Sequence, residues 1–149
     1  MKSVFVTLLL LFTLTLMAQK VKEKDDVYSV DDKAFVKKEC KNVFAAPCVF
    51  TTPDGATRLF SLVPYEYMKT MRVNEGHGWY DKEIKSYYFQ IRFIPIEKDF
   101  YSMQTPKEII REMYKSGCVN ADGSLDATKV DEFIRVYAEE PPVRTVKTY

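Results

Sequence analysis

The sequence predicts an α+β domain, in which an antiparallel sheet of about five strands is covered on one face by a pair of C-terminal helices. Segments rich in β-branched and aromatic residues, separated by turn residues, occupy residues 27–96, and amphipathic helical patterns occupy residues 105–140. Strands followed by helices are typical of α+β proteins, whereas parallel sheets alternate the two. With 46% hydrophobic and 14% aromatic residues, the chain has enough apolar side chains for one core.

The N-terminal segment has the layout of a secretory signal peptide. Lys2 is followed by an apolar run over residues 4–17 and by the small residue Ala18. Because this run is shorter than the roughly 20 residues that span a bilayer, we expect export and cleavage near Ala18, with no stable membrane span afterwards. The protein would then be periplasmic, on the cell surface or secreted. Residues 19–26 are highly charged and are predicted to be a tether.

Two hairpins are predicted at the start of the domain, which we place at residues 27–140. The first covers residues 27–41 and turns at Asp31-Asp32-Lys33, since Asp tolerates tight turn geometry. The second joins residues 48–52 to residues 58–63.

The second hairpin turns at Pro53-Asp54-Gly55, where Pro presets the turn and Gly accepts a positive φ. Pro64 has no backbone donor, so it should end the strand or lie at a sheet edge.

The strongest strand pattern lies in residues 84–96, where Tyr87, Phe89, Ile91 and Phe93 alternate with more polar residues. Residues 73–82 precede it and contain two glycines around the only histidine, next to the only tryptophan. This composition predicts a mobile or tightly turned loop between strands.

Two helices are predicted in the C-terminal part. Thr105 and Glu108 can form a capping box around Pro106, and Gly117 is a suitable terminator. A second helix should begin near Asp126 and stop at Pro141-Pro142, leaving residues 141–149 as an extended tail. The predicted core combines both layers: Phe89, Ile91, Phe93, Ile110, Met113, Phe133 and Ile134.

The charge balance argues against nucleic acid and against a polybasic membrane patch. The chain has 22 Lys and Arg against 21 Asp and Glu, and Lys2 is the only charged residue of the predicted signal. The mature domain is therefore formally neutral, whereas nucleic-acid binding needs an excess of basic side chains. The sequence also shows no cofactor motif, since Gly76-His77-Gly78 lacks the third glycine of a dinucleotide site.

If the protein is exported, its three cysteines are candidates for disulfides, because an oxidising compartment favours these bonds. Cys40 and Cys48 are close in sequence and flank a loop, so we predict that they form a bridge. The other pairings and three reduced cysteines remain open. Cys118 follows a predicted helix C-terminus, where the partial negative charge raises a thiol pKa and opposes catalysis.

Metal and catalytic sites are poorly supported by the sequence. His77 has only Glu75 and Asp81 nearby, which is too few ligands for zinc. The segment 120–126 suggests a calcium loop, but the closing carboxylate is missing, so a turn and an N-cap explain it better. No nucleophile elbow or other familiar catalytic motif is present.

Aromatic residues provide the best candidate for a binding surface. Among the ten tyrosines and the single tryptophan, several lie in or beside the predicted loops, where amphipathic rings could hold a sugar or a peptide. With the histidine, the candidate site residues are Tyr65, Tyr67, His77, Trp79 and Tyr80. Packing at a half-buried sheet face is the alternative role for the tyrosines.

The segment ending in Ala18-Gln19, the hairpin VYSVDDKAFVKKE and the helix–DGSLD–helix region near the C-terminus together resemble small exported proteins of unassigned function, common in Bacteroidota-type bacteria. The resemblance covers about half of the chain. It implies an envelope or secreted location and adds no activity and no functional residue.

The leading hypothesis is a non-catalytic exported domain that binds an unknown protein, peptide or glycan partner in the cell envelope. The alternatives are a small secreted hydrolase that uses His77 with a Cys or Ser nucleophile, and a structural envelope component. Binding predicts exposed aromatic residues beside the His77 loop. Catalysis predicts His77 within hydrogen-bond reach of a nucleophile in a cleft, and a structural role predicts neither.

Overall fold

The computed structural model describes residues 19–142, which form a seven-stranded antiparallel sheet and two α-helices. The strands are β1 (Val21–Lys24), β2 (Val27–Val30), β3 (Lys33–Lys38), β4 (Cys48–Thr51), β5 (Arg58–Asn74), β6 (Trp79–Phe93) and β7 (Lys98–Ser102). The helices are α1 (Pro106–Lys115) and α2 (Ala127–Tyr137). The α+β class is confirmed, with more strands than the five predicted. The predicted signal peptide, residues 1–18, and all but the start of the predicted tail lie outside the described residues.

The sheet is a meander, because its strands are hydrogen-bonded in sequence order from β1 to β7. Each strand pairs antiparallel with the one before it, so every connection between neighbours is a hairpin or a short loop.

The stretch predicted as a charged tether contains strand β1. It pairs with β2 through a turn at Asp25 and Asp26, which have φ angles of 52° and 65°. Only Val21 packs against the core, while Glu23 forms an ion pair with Lys38. Backbone hydrogen bonds to β2 hold this edge strand in place. It therefore needs few buried side chains and can be highly polar.

Both predicted N-terminal hairpins are present. Asp31 and Asp32 connect β2 to β3 with φ angles of 50° and 64°, the left-handed geometry that two-residue hairpins require. Gly55, with a φ of 78°, lies in the turn between β4 and β5.

Strands β5 and β6 are longer than predicted, and they pair from Phe60 opposite Phe93 to Asn74 opposite Trp79. The predicted loop at residues 73–82 is therefore wrong in extent, since only residues 75–78 form the turn. Strand β5 also continues through Pro64. This is possible because the pairing of β4 with β5 ends at Leu62, so Pro64 lies where the outer edge of β5 is unpaired.

Strand β7 was not predicted. The chain leaves β6 through a 3₁₀ turn at Ile94–Ile96, and Glu97, with a φ of 52°, starts the return. β7 then pairs with the last residues of β6, from Phe89 opposite Ser102 to Phe93 opposite Lys98.

Both helices begin where the sequence predicts. Thr105 and Glu108 form the reciprocal capping box, with Pro106 in the first turn, and Gly117 follows the C-terminus of α1 with a φ of 66°. The side chain of Asp126 caps α2 by accepting from the N–H of Lys129 at 3.0 Å. Helix α2 ends at Tyr137, before the prolines, because Ala138 has extended backbone angles.

The two helices and one face of the sheet share a single core. Phe133 of α2 packs edge-to-face on Phe93 of β6 and Phe100 of β7. The predicted core residues are buried except Ile134, which is half-buried and packs against the same cluster. Helix α1 contacts β1 and β2, so the helices link the first strands of the sheet to the last.

Within residues 19–142, neither helix is long and apolar enough to cross a membrane.

Candidate binding surface

Strands β5 and β6 extend beyond the rest of the sheet as a two-stranded β5–β6 arm, which we define as residues 66–74, the turn 75–78 and residues 79–87. β4 pairs with β5 only as far as Leu62, and β7 pairs with β6 only from Phe89 onward. In the described part of the chain the two arm strands therefore pair only with each other. At about 3.3 Å per residue the arm is roughly 30 Å long.

The tip of the arm is a four-residue turn that places His77 between two glycines with positive φ, Gly76 at 87° and Gly78 at 101°. The side chain of Asn74 accepts from the N–H of Gly76 at 3.0 Å, which closes the turn. β6 begins immediately after it with Trp79, which is 66% exposed, and Tyr80, which is 41% exposed. The only histidine and the only tryptophan of the chain therefore both lie at the tip, and both side chains are exposed.

An ion pair and a hydrogen bond to Glu75 connect side chains at the tip. Glu75 accepts from the Lys82 ammonium at 2.8 Å. Hydrogen bonds from Lys82 and Tyr80 lower the pKa of Glu75, and the same contact with Glu75 raises the pKa of Tyr80. The turn is thus tied to the first residues of β6 by side chains as well as by its backbone.

A second aromatic group, the tyrosine cluster, lies at the base of the arm and consists of Tyr65, Tyr67, Tyr88 and Tyr101. Tyr65 and Tyr88 stack across the two strands with ring centroids 5.0 Å apart and planes 8° apart. Tyr67 and Tyr101 approach Tyr88 at 6.0 and 6.1 Å. Because side chains alternate along a strand and Phe89 points into the core, Tyr88 faces the side of the sheet away from the helices.

Polar contacts fix the orientation of the cluster. The Tyr65 hydroxyl donates to Oε1 of Gln90 at 3.2 Å, and Gln90 in turn donates to Asp99 at 2.5 Å. The hydroxyl of Tyr67 lies 3.8 Å from the sulfur of Met103. Gln90 lies in β6, Asp99 lies in β7 and Met103 directly follows β7, so the cluster is held by the last two strands of the sheet and by the residue after them.

The five residues predicted as one site fall into two groups. Tyr65 and Tyr67 belong to the base, while His77, Trp79 and Tyr80 belong to the tip. Tyr67 pairs with Ser86 and Tyr80 with Val73, so six residues of strand, about 20 Å, separate the groups. Sequence reasoning treated the glycine-rich segment as a long loop and so missed this separation.

Tyr88 and Tyr101 were also missed by the sequence analysis. Tyr88 belongs to the same alternating run that identified the strand, on its non-core face, so the pattern did contain a signal for it. Tyr101 lies in the unpredicted strand β7, and only the pairing of β7 with β6 brings it beside Tyr88.

The cysteines do not form a catalytic site with His77. Cys40 and Cys48 form the predicted disulfide, with Cα atoms 5.3 Å apart. Cys118 is a buried free thiol in the core cluster, and burial, together with the charge of Asp126, raises its pKa to about 12. His77 lies at the far end of the exposed arm, away from this core.

A cavity of about 350 Å³ lies beside the N-terminus of α1, and it contains neither Cys118 nor His77. Its lining includes Lys38, Lys41 and Lys107, and Lys38 is paired with Glu23. Its lining also includes Thr105, whose hydroxyl donates to the Glu108 carboxylate at 2.8 Å as part of the helix cap. The cavity therefore provides a concave surface whose lining has no cysteine or histidine.

The candidate calcium segment has a local structural role. Asp122 accepts from the N–H of Ser124 at 2.9 Å, and Asp126 caps α2, so both carboxylates are used by the turn between the helices. Within residues 19–142 no three His, Cys, Asp or Glu side chains come together in a way that could hold a metal ion.

Comparisons with protein-family models, with curated proteins and with solved structures found no match for this chain. The geometry of the arm and of the tyrosine cluster is therefore the basis for a functional proposal.

Proposed function

We propose that this protein is an exported, non-catalytic binding domain of the cell envelope, and that it captures a protein, peptide or glycan partner through the β5–β6 arm. The observation that carries this proposal is the exposure of Trp79 and Tyr80 beside the His77 turn. Trp and Tyr are enriched at interfaces, where the large ring contributes contact area and the polar group can form a hydrogen bond that orients the partner.

The position of these residues supports a role outside folding. Trp79 and Tyr80 are absent from the core cluster, which lies in the body of the sheet and under the helices. Burying a large exposed ring against a partner is favourable. Residues that project beyond the scaffold can therefore serve recognition without altering the fold.

Export is supported by the disulfide between Cys40 and Cys48, because such bonds persist in oxidising compartments. Mass spectrometry of protein from the native host tests this part of the proposal. We expect a mature N-terminus near Gln19. Recovery of intact Met1 in a soluble cytoplasmic fraction would contradict export.

The binding role is tested by substituting Trp79 and a matched control residue. Val136 on α2 is also 66% exposed, so Trp79→Ala and Val136→Ala truncate side chains with the same exposed fraction, one on the arm and one on a helix. Both variants and the parent would be immobilised and exposed to envelope extract and to a glycan array. We expect capture to be lost in Trp79→Ala and retained in Val136→Ala, with little change in either thermal midpoint.

The outcome against this proposal is also specific. If Trp79→Ala unfolds the protein, the side chain belongs to the fold and the tip is not a binding site. If the variant folds and captures the same partners as Val136→Ala, the arm tip is not the surface used.

The hydrolase alternative makes a different prediction. A catalytic Cys118 would have to be reactive in the folded protein, but its burial and raised pKa oppose this. We expect a thiol reagent to label Cys118 only after the protein is unfolded. Rapid labelling of the native protein at neutral pH would favour catalysis over binding.

A further inference from the structure

The cavity of about 350 Å³ beside the N-terminus of α1 is a feature of the domain body that the proposed arm site does not use. Strands β1 to β3, the loop after β3 and the start of α1 all contribute to its lining. Its volume is at the lower end of the range for pockets that hold small molecules, about 300 to 1,000 Å³. The chemistry of the lining therefore indicates which small molecule fits it.

The charged groups of the lining are unbalanced in favour of cations. Lys38, Lys41 and Lys107 are basic, and Glu23 is the one carboxylate among the residues that line the cavity. Glu23 forms an ion pair with Lys38 and also accepts from the Tyr28 hydroxyl, so its charge is already matched inside the protein. The two remaining lysines are therefore the groups available to a ligand.

Lys41 and Lys107 have no carboxylate partner of their own. Within residues 19–142, neither ammonium group forms an ion pair or a hydrogen bond with another residue. The charge of Lys107 acts on Glu23 only from beyond ion-pair distance. Both lysines are exposed, so an anion can approach them without displacing a protein group. Two such cations beside a concave surface favour an anionic ligand.

The N-terminus of α1 is not the source of this attraction. Glu108 lies in its first turn and accepts from the N–H of Thr105 at 2.8 Å. The helix therefore already has the negative group that its N-terminus favours. An anion in the cavity would be held by the lysine side chains.

The rest of the lining is largely apolar. Val43, Phe44 and Pro106 contribute their side chains, together with the ring of Tyr28. Phe44 is 42% exposed, so covering its ring with an apolar group removes apolar surface from water, which is favourable. The cavity thus suits a molecule that has both an apolar body and an anionic head.

The wall formed by residues 41–44 is held in place without a ligand. It belongs to the loop that the disulfide closes. Asn42 accepts from the N–H of Phe44 at 2.9 Å. The Phe44 ring packs on Tyr87 and Phe89, with centroids 5.2 and 5.6 Å away. A wall fixed in this way loses little conformational entropy when a ligand binds.

We propose that this cavity is a second binding site, separate from the arm, for a small organic anion with an apolar body, such as a medium-chain carboxylate. Lys41 and Lys107 bind the carboxylate. The side chains of Val43, Phe44 and Pro106 contact the chain. No residue of the arm is among those that line the cavity, so the ligand and the partner of the arm bind independently.

Titration of the purified protein with octanoate, followed by two-dimensional amide NMR, tests this site. Octanamide has the same chain without the charge, and acetate has the charge with almost no chain. We expect octanoate to shift the amides of residues 41–44, Thr105 and Lys107, and the shifts to saturate. Octanamide and acetate should each bind at least about tenfold more weakly, because each lacks one of the two interactions.

Substitution of the two lysines tests their role. Lys41→Gln and Lys107→Gln should each weaken octanoate binding about threefold, and together about tenfold, because each removes one exposed ion pair with the ligand. Octanamide should bind the parent and the double variant equally, which shows that the cavity is intact. The matched control is Lys33→Gln with Lys69→Gln, which removes the same net charge at exposed lysines outside the lining. This control should bind octanoate as the parent does.

Any of three results would overturn the proposal: octanamide binds as tightly as octanoate, the two double variants bind octanoate equally, or residues 41–44 show no saturable shift. A shift confined to the Trp79 indole would also overturn it, because the arm would then hold the probe. The two proposals fail separately. Trp79→Ala should bind octanoate like the parent, and the variant at Lys41 and Lys107 should still capture the partner of the arm.

Discussion

Phe133 of α2 meets Phe100 of β7 edge-to-face, with ring centroids 5.7 Å apart and planes 79° apart. The same ring meets Phe93 of β6 at 6.4 Å and 89°. One helix residue therefore contacts the last two strands of the meander at once, and it is almost completely buried. Phe133 therefore supplies two aromatic contacts between the helical layer and the sheet, and Tyr114 of α1 with Phe35 of β3 supplies another, with ring centroids 5.2 Å apart.

Phe133→Ala should lower the free energy of unfolding by about 3 to 5 kcal/mol, because it removes a buried ring and leaves a cavity between layers. Denaturant unfolding followed by circular dichroism measures the change. Val136→Ala, an exposed position on the same helix, is the control and should change stability by no more than about 0.5 kcal/mol. A loss below about 1 kcal/mol for Phe133→Ala would show that α2 does not pack as described.

Removing the disulfide should lower the free energy of unfolding by about 2 to 3 kcal/mol. The bond closes a short loop and so restricts the unfolded chain. Within this loop, Phe44 packs on Tyr87 and Phe89, so the bond also holds an aromatic contact with β6. The double variant Cys40→Ala, Cys48→Ala should unfold at lower denaturant concentration than the parent. Reductant should destabilise the parent and leave the variant unchanged; an effect on both would locate the sensitivity elsewhere.

Stability at acid pH should depend on Glu108. Hydrogen bonds from the backbone and hydroxyl of Thr105 hold the pKa of Glu108 below its ordinary value of 4.5. Its folded pKa is therefore depressed, so its contribution is present above pH 4.5 and is lost as the pH falls through the lower folded value. Glu108→Gln keeps an acceptor at this position but removes the titration.

Unfolding curves from pH 7 to pH 3 test this prediction. The variant should lose less stability than the parent over the acid range, by an amount on the order of 0.5 kcal/mol, the lower end of a helix-cap contribution. If the free energy of unfolding falls equally in both proteins as the pH is lowered, the capping box does not respond to pH.

Fluorescence of the single tryptophan should show a solvent-exposed environment, because Trp79 lies on the arm and not in the core. Trp79 is 66% exposed, so we expect its emission maximum in the folded protein to lie close to that of the unfolded protein, with easy quenching by iodide. A blue-shifted emission that resists quenching would place Trp79 in an apolar environment and contradict the exposed tip.

Local chemistry explains which elements were predictable. The turn at Asp31 and Asp32 and the cap at Thr105 depend on residues adjacent in sequence, and both are present. Strand β1 was missed because its side chains are almost all charged and its position is set by backbone pairing with β2. The length of β5 was missed for a related reason, since pairing with β6 carries the strand past Pro64.

The candidate site was predictable only in part. The glycines around His77 indicate a turn, and Trp79 and Tyr80 follow it directly, so their shared location at the tip could be found from sequence. Tyr65 and Tyr67 are also close to this segment in sequence, but the extended strands carry them away from it. Sequence proximity is a poor guide to spatial proximity in a long hairpin, because two residues on one strand separate by about 3.3 Å per residue.

The order of the sheet has a consequence for how the chain folds. Each strand pairs with the strand immediately before it, so most pairings close short loops and the sheet can form progressively from β1. The closing step is different, because α1 reaches back to β1 and β2 while Phe133 joins β6 and β7. During synthesis, which begins at the N-terminus, the strands can therefore pair one after another. One side of the core stays exposed until α2 packs on β6 and β7.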